Sequence, residues 1–478
     1  MSRDLTKILL TPNPEASCDL LDLHRLNPAR YPHLLQTCSP PEGTPSWDIL
    51  FAFPGPTLRL DAAGLNFIGE SGLQPSGNGF LNNFDRWWKF ERSKSSAESS
   101  YLPFSGGWFL YLGYELCTEI EPTLRNRLRL PAGIPTALAT RFKSALVYDH
   151  CSRNLYCVTE PDCQSLVVEI ERDLQAATRV GNAPVRQPLV KTALREDAPG
   201  NYLDGVERIK RYVRDGDIFQ ANLSREWRLD NASQADIAGI YTALRQGNPA
   251  PFSGLARFEE FSLLSSSPER LLSIRGKKAE TRPIAGTRPR GSNAAEDSAF
   301  SRELIMHPKE RAEHIMLIDL ERNDLGRICK PGSIHVGELM TVESYAHVHH
   351  IVSNVSGELR DAITPGQAIA AIFPGGTITG CPKVRCMEIL AELEKGARGP
   401  YTGSIGYVNL NGDMDLNILI RTIMVENNRI SLRAGAGIVA DSDPGRELEE
   451  TRAKAKGMLN ALGITDNARM DAMGAGHG

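Results

Sequence analysis

Among the nine cysteines of this 478-residue chain there is no C-x-x-C pair. That argues against a zinc site and for reduced thiols in a cytoplasm. No cysteine stands in a G-x-C-x-G-x-Q setting, so a glutaminase nucleophile is missing. No run approaches 18 apolar residues, and nothing reads as a membrane span. An excess of basic charge is also absent. Lys and Arg number 54 against 58 Asp and Glu, a formal charge of −4, which leaves no footprint for nucleic acid. The opening MSRDLTKILLTPNPEASCDL has no apolar core before a small-residue cleavage site, so no secretory signal is expected and the expected location is cytoplasmic. The Gly-rich PGGTITGCPK (374–383) lacks the G-K-[ST] of a phosphate loop.

What remains is an ordinary globular composition, 41% apolar and 23% charged, in a chain longer than one typical domain. Residues 1–190 mix short strand-like runs (47–53, 57–60, 137–148, 154–159) with a few helical ones. A polar, proline-containing stretch at 182–199 is the candidate linker. From 200 to 463 the signals sharpen. Apolar spacing predicts helices over 201–214, 295–322, 364–373, 382–395 and 443–462. Strands are expected over 217–229, 252–265, 270–284, 401–410, 415–425 and 429–440. Hairpin strands with helices inserted in blocks indicate an α+β fold. Residues 464–478 lack periodicity and are expected to be disordered.

Several polar residues sit where chemistry is possible. Glu310 and Glu313 in KERAEH, and Glu447 and Glu450 in ELEETRAKAK, are each three apart on a helix and share a face. Like charges so placed repel, and a hard divalent ion such as Mg²⁺ would compensate them; solvated helix faces are the plainer alternative. Glu269 follows a proline at the end of an apolar strand in SSSPER, where partial burial would raise its pKa and suit a general acid. Otherwise it is a turn carboxylate. SYAHVHH carries His347, His349 and His350 with no fitting metal partner nearby. RAGAGIV around Gly437 bares backbone amides. Arg421, in the apolar run LNILIRTIMV, calls for a buried anion.

In their order these segments resemble the chorismate-utilising enzymes. The carrying motifs are GDIFQANLS (216–224), SSSPERLL (265–272), RPIAGTRPRG (282–291), KERAEHIMLIDLERNDLGR (309–327) and VESYAHVHHIVSNVSGEL (342–359). They continue with FPGGTITGCPKVRCMEI (373–389), YTGSIGY (401–407), IRT (420–422) and AGAGIVADSDPGRELEET (434–451). LNPARYPHLLQT and PFSGGWFLYLGYEL extend the likeness into the N-terminal region, which resembles that of anthranilate synthase component I. The resemblance implies an orthogonal sandwich of two large antiparallel sheets with helices on the outside and the site in the cleft. It implies Glu269 as general acid toward the C4 hydroxyl of chorismate, with His350 beside the ring. Glu313 and Glu450 would be Mg²⁺ ligands, with Glu310 and Glu447 in support. Tyr401 and Arg421 would grip the enolpyruvyl carboxylate. Lys454 would face the ring carboxylate, and Thr287, Ala285 and the amides around Gly437 would line the same pocket.

The nucleophile separates the members. Hydrolytic members place a lysine where this chain has Gln220, whereas ammonia is already nucleophilic and needs no such base. The implied co-substrate is therefore ammonia, delivered by a glutamine amidotransferase subunit. QANLS, PGGTITGCPK, YTGSIGY and Arg270 resemble the aminodeoxychorismate synthases. Ala285 instead matches the anthranilate pattern, since many aminodeoxychorismate synthases carry a lysine there. The expectation is 4-amino-4-deoxychorismate on the way to 4-aminobenzoate and folate, with anthranilate as the alternative product. An inactive chorismate-binding subunit would show a broken acid or metal motif, and here both are complete.

Overall fold

The computed structural model describes residues 6–10, 19–39, 45–77, 79–93, 101–180, 194–230, 232, 235–345 and 348–464. Most of the expected linker (182–193), His347 and the tail from 465 lie outside the described residues.

Strand Trp47–Asp61 runs straight through the two segments expected at 47–53 and 57–60. It pairs antiparallel with Ala137–Asp149, and an irregularity between Pro54 and Thr57 accounts for the broken appearance of the sequence. Two wings of antiparallel sheet branch from this long pair. One passes through His33–Gln36, Phe252–Arg257, Phe261–Ser267, Thr422–Glu426 and Arg429–Ile438 to Gln220–Asp230. The other passes through Gly107–Leu112, Ser404–Asn409, Met414–Asn417, Arg270–Arg275 and Lys278–Thr281 to Val348–Glu358. The last strand also carries Ile284–Pro289 and His335–Ser344. Strands from before residue 190 thus lie between strands from after 200, and helices and antiparallel sheet mix as an α+β fold.

Alternation along the strands sorts side chains into layers. Ile49 and Phe51 join Phe109, Tyr111, Leu263 and Tyr407 in one cluster to which both wings contribute. Their neighbours Leu50 and Ala52 point the other way, toward Leu21, Tyr241 and Leu459 on helices Leu20–Leu26, Ile237–Gly247 and Pro444–Ala461. Trp108 and Leu110 likewise face Phe84 and Trp87 of helix Gly79–Arg92. Each such burial contributes about 1.5–3 kcal/mol, against about 0–1 for an exposed ion pair, so these clusters dominate stability.

Four sequence expectations need correction. The helix expected over 295–322 is two, Ala294–Met306 and Pro308–Gly326, because the residue before a proline is driven out of the helical region and His307 is extended (φ −69, ψ 115). The run 252–265 is a hairpin, Phe252–Arg257 with Phe261–Ser267. The run 270–284 is likewise divided at Gly276, whose φ is +59. Finally, 415–425 is not continuous: Met414–Asn417 and Thr422–Glu426 lie in different wings, and Arg421 sits in the crossing between them with φ +50. Elsewhere the stops agree. Helix Pro199–Arg214 ends at Asp215-Gly216, with Gly216 at φ +82, and helix Pro444–Ala461 ends before Gly463 at φ +78.

Candidate active site

Glu269 lies between the end of strand Phe261–Ser267 and the start of Arg270–Arg275, where Pro268 turns the chain. Its backbone is pinned on both sides. Its N–H donates to Ser267 Oγ (3.2 Å) and its carbonyl accepts from Ile418 N–H (3.0 Å). The side chain is buried, and Oε1 has no hydrogen-bond partner among the described residues. Burial lifts its pKa to about 7, opposed by the Thr377 hydroxyl, the Ile284 N–H and the nearby Lys454 and Arg421 cations. A carboxyl in this state holds its proton near neutral pH and can give it up to a leaving hydroxyl.

His350 stands on Val348–Glu358, opposite Thr287 in the register. Its Nδ1 lies 2.9 Å from Thr287 Oγ1 and 3.3 Å from the Gly286 carbonyl, while Nε2 is buried without a partner among the described residues. Burial, then Arg421, pushes its pKa down to about 3, so the ring is neutral. The Gly286 contact requires the proton on Nδ1 and leaves Nε2 as an acceptor. Ala285 is buried just before the irregularity that brings Thr287 beside His350, and Thr287 itself is exposed. His349 points elsewhere, with Nε2 on Asp297 (2.9 Å) and Nδ1 on Ser344 (2.8 Å), and is structural.

Arg421 forms no ion pair among the described residues, yet its surroundings are desolvating enough to lower its pKa. Holding a non-glycine residue at positive φ costs on the order of 1–3 kcal/mol and is characteristic of functional sites. Its neighbour across the crossing, Thr402, is held at φ +62 with its N–H on Leu419 O (2.8 Å). Tyr401, beside Thr402, is buried, and its hydroxyl lies close to where a Cβ on Gly435 would be (2.8 Å). Lys454 donates to Gly435 O (3.0 Å) and to Glu450 (2.7 Å). A Cβ on Gly437 would run into the amide nitrogen of Gln220, whose Oε1 is buried without a partner among the described residues. Gly437 pairs with Asn222, so strand Arg429–Ile438 lays its bare backbone along the strand that begins at Gln220. The structure therefore gathers Glu269, His350, Arg421, Lys454, Tyr401 and Gln220 from separate stretches of the chain.

The four acidic residues also converge. Glu313 is half-buried, and its pKa is raised by that burial and by Glu310, Glu447 and Glu450 together. Glu447 is raised by burial and by Glu450. Asp443, whose side chain accepts from Arg446 N–H (2.9 Å), fixes where the helix bearing Glu447 and Glu450 begins. Arg288 lies 3.3 Å from Glu310, and Lys309 only 3.8 Å from Glu313. As a donor set, four carboxylates facing three cations (Arg288, Lys309 and Lys454) keep one net negative charge, and oxygen donors of this kind suit a magnesium ion. Their present spacing is looser than ligation requires: among the described residues no three metal-ligating side chains come together around one point.

A family model described as chorismate binding enzyme matches residues 63–460. The chain belongs to the chorismate-binding enzymes. It is 41% identical over 393 residues to aminodeoxychorismate synthase component 1 of Bacillus subtilis, covering 81% of this chain and 83% of that one. It is 47% identical over 386 residues to an anthranilate synthase component 1 of Haloarcula marismortui, covering 77% and 78%. The crystal structure of anthranilate synthase component I from Streptococcus pneumoniae superposes with a TM-score of 0.74 at 32% identity, covering 86% of this chain and 92% of the other. This places it in the component I group of chorismate-utilising enzymes, with relatives of both amination types.

In this chorismate-binding enzyme a cavity of about 420 Å³ lies beside Glu269 rather than around it. Pro268 and Arg270 line it, so alternation turns Glu269 away from it. Arg270 closes one wall by a bidentate pair with Asp415 (2.9 and 2.9 Å). Sequence reasoning missed Arg398, which lies 4% exposed next to Tyr401. The one available signal was a charged residue inside the Gly-rich turn KGARGPY.

Proposed function

We propose that this chain is component I of an aminodeoxychorismate synthase, converting chorismate and ammonia to 4-amino-4-deoxychorismate and water. The observation that carries it is Glu269, a buried carboxyl holding its proton near neutrality with the Lys454 and Arg421 cations close by. In this reading Glu269 protonates the departing C4 hydroxyl, and His350 presents Nε2 to the ring. Arg421 and Tyr401 bind the enolpyruvyl carboxylate, Lys454 faces the ring carboxylate, and Thr287 with the Gly437 backbone bounds the pocket. Glu313 and Glu450, with Glu310 and Glu447 behind them, would hold Mg²⁺, which supplies positive charge for a substrate carboxylate. Gln220 offers no base for water, which favours ammonia from an amidotransferase subunit. We read the two wings, which share one core cluster, as the two sheets of an orthogonal sandwich. The 200–463 stretch supplies the side chains, the 1–190 region interlocks with it, and the whole works in the cytoplasm.

Ala285 favours a second reading, anthranilate synthase component I. Direct attack of ammonia at C2 with loss of the C4 hydroxyl, followed by pyruvate elimination, gives anthranilate. The 4-amino product needs a nucleophile first at C2, displaced as ammonia enters at C4. No lysine at 285 can be that relay, so water or ammonia must serve in the space beside Ala285. Asn222, Thr377, Thr379 and Thr402-Gly403-Ser404 lie in motifs that resemble those of the aminodeoxychorismate synthases, which favours the 4-amino product. Chorismate, Mg²⁺ and ammonium with the purified chain will yield a species that becomes 4-aminobenzoate only after a lyase is added. Anthranilate with released pyruvate as the main product would overturn the assignment. Glutamine in place of ammonium will give no turnover by the single chain, and turnover with glutamine alone would refute the need for a partner.

A further inference from the structure

Arg398, in the turn between helix Lys383–Leu393 and strand Ser404–Asn409, is the most heavily committed buried cation near the site. A guanidinium has five N–H donors, and here every one has an acceptor. Nε and Nη2 hold the two oxygens of Glu394 (2.8 Å each). Nη2 also donates to Asn222 O (2.7 Å), and Nη1 to Ile378 O (3.2 Å) and Thr402 Oγ1 (3.3 Å). Its guanidinium carbon lies 4.8 Å from the centre of the Tyr114 ring and 5.6 Å from that of Tyr401. Asn222 and Ile378 are themselves joined, Asn222 Nδ2 donating to Ile378 O (3.0 Å). One side chain therefore ties together the three segments that carry Asn222, Thr377 and Tyr401. Thr377 leads to Glu269, because its hydroxyl is near enough to that carboxyl to lower its pKa.

The turn is anchored from the far end of the chain. Glu115, fully buried in the N-terminal region, accepts the Arg398 N–H (2.7 Å) and the Gly399 N–H (3.2 and 3.1 Å). We propose that Arg398, seated by Glu115, is a positioning residue that sets the Asn222, Thr377 and Tyr401 segments around the substrate. The N-terminal region thereby takes part in catalysis without touching substrate. This rests on the reading of the site given above.

Arg398→Lys keeps a cation for Glu394 but cannot span the three remaining acceptors. It will lower kcat by about 10–100-fold, the scale expected for small misplacement, and raise the KM for chorismate; the Tm will fall as well, because buried acceptors lose their donor. Glu115→Gln, which leaves Arg398 and Glu394 paired, will lower kcat in the same direction by a smaller factor and serves if the first variant does not fold. The pH dependence set by Glu269 will stay in place in both. Parent-like kcat and KM in both variants, with Glu269→Gln inactive, would overturn the positioning role alone. Full activity of Glu269→Gln as well would remove the site reading and this inference together.

Discussion

Glu269→Gln will lose about 10²–10⁴-fold in single-turnover rate, the usual worth of general acid catalysis. Gln is nearly isosteric and fills the same buried space, and Oε1 makes no hydrogen bond among the described residues that its replacement would break. The backbone contacts to Ser267 and Ile418 are untouched, so the fold will survive the change and the loss will be chemical. The pH dependence gives the sign. An acid must carry its proton, and this one releases it at about 7. The parent kcat/KM will therefore fall as pH rises through about 7, and Glu269→Gln will lose that limb. His350, whose pKa lies at about 3, stays neutral throughout and contributes no limb near neutrality. A loss of less than about threefold would mean that another residue is the acid.

The second large effect is at the clustered carboxylates. Glu450→Gln will abolish turnover while leaving the fold intact, since the Glu450 side chain is half exposed and its pairing with Lys454 is a surface one. Glu313→Gln will separate function from stability. The Glu313 pKa is raised in the folded state by burial and by like charges. Folded Glu313 therefore binds its proton more tightly than unfolded Glu313, and stability falls as pH climbs from the ordinary carboxylate range through the raised value. At pH 7 the neutral glutamine will match or exceed the parent Tm in chelator-treated buffer. In magnesium-containing buffer it will lose both the turnover and the Mg²⁺-dependent rise in Tm that the parent shows. Full activity of Glu450→Gln in EDTA-treated buffer would sink the metal assignment. So would a parent Tm that ignores Mg²⁺.

Much of this site is legible in the amino-acid sequence. The i,i+3 spacing of Glu310/Glu313 and Glu447/Glu450 needs only helical geometry, and both helices are present. Glu269 is marked by the proline before it and the apolar strand behind it. The strand placement of Arg421 fails for a physical reason: an apolar run signals burial, and buried crossings and buried strands look alike in sequence. The single long helix across 307 fails because one proline outweighs the periodicity on either side of it. Arg398 is invisible because its acceptors come from residues 222, 378, 394 and 402, and no local pattern encodes them.

By itself the amino-acid sequence determined the periodicities, the helix stops at Gly216 and Gly463, the paired carboxylates and the family. These depend on neighbours within a turn or two, or on motifs in order. The tertiary structure alone decided which way Glu269 faces, that it holds its proton at about 7, and that His350 is neutral. It also decided that Arg421 stands at positive φ with no partner carboxylate among the described residues, and that Glu115 and Arg398 meet across 283 residues of chain. Proton affinity and side-chain orientation follow from desolvation and from charges brought close by folding. Those contacts join segments far apart in the chain, and they exist only once both wings of the sheet have closed around the site.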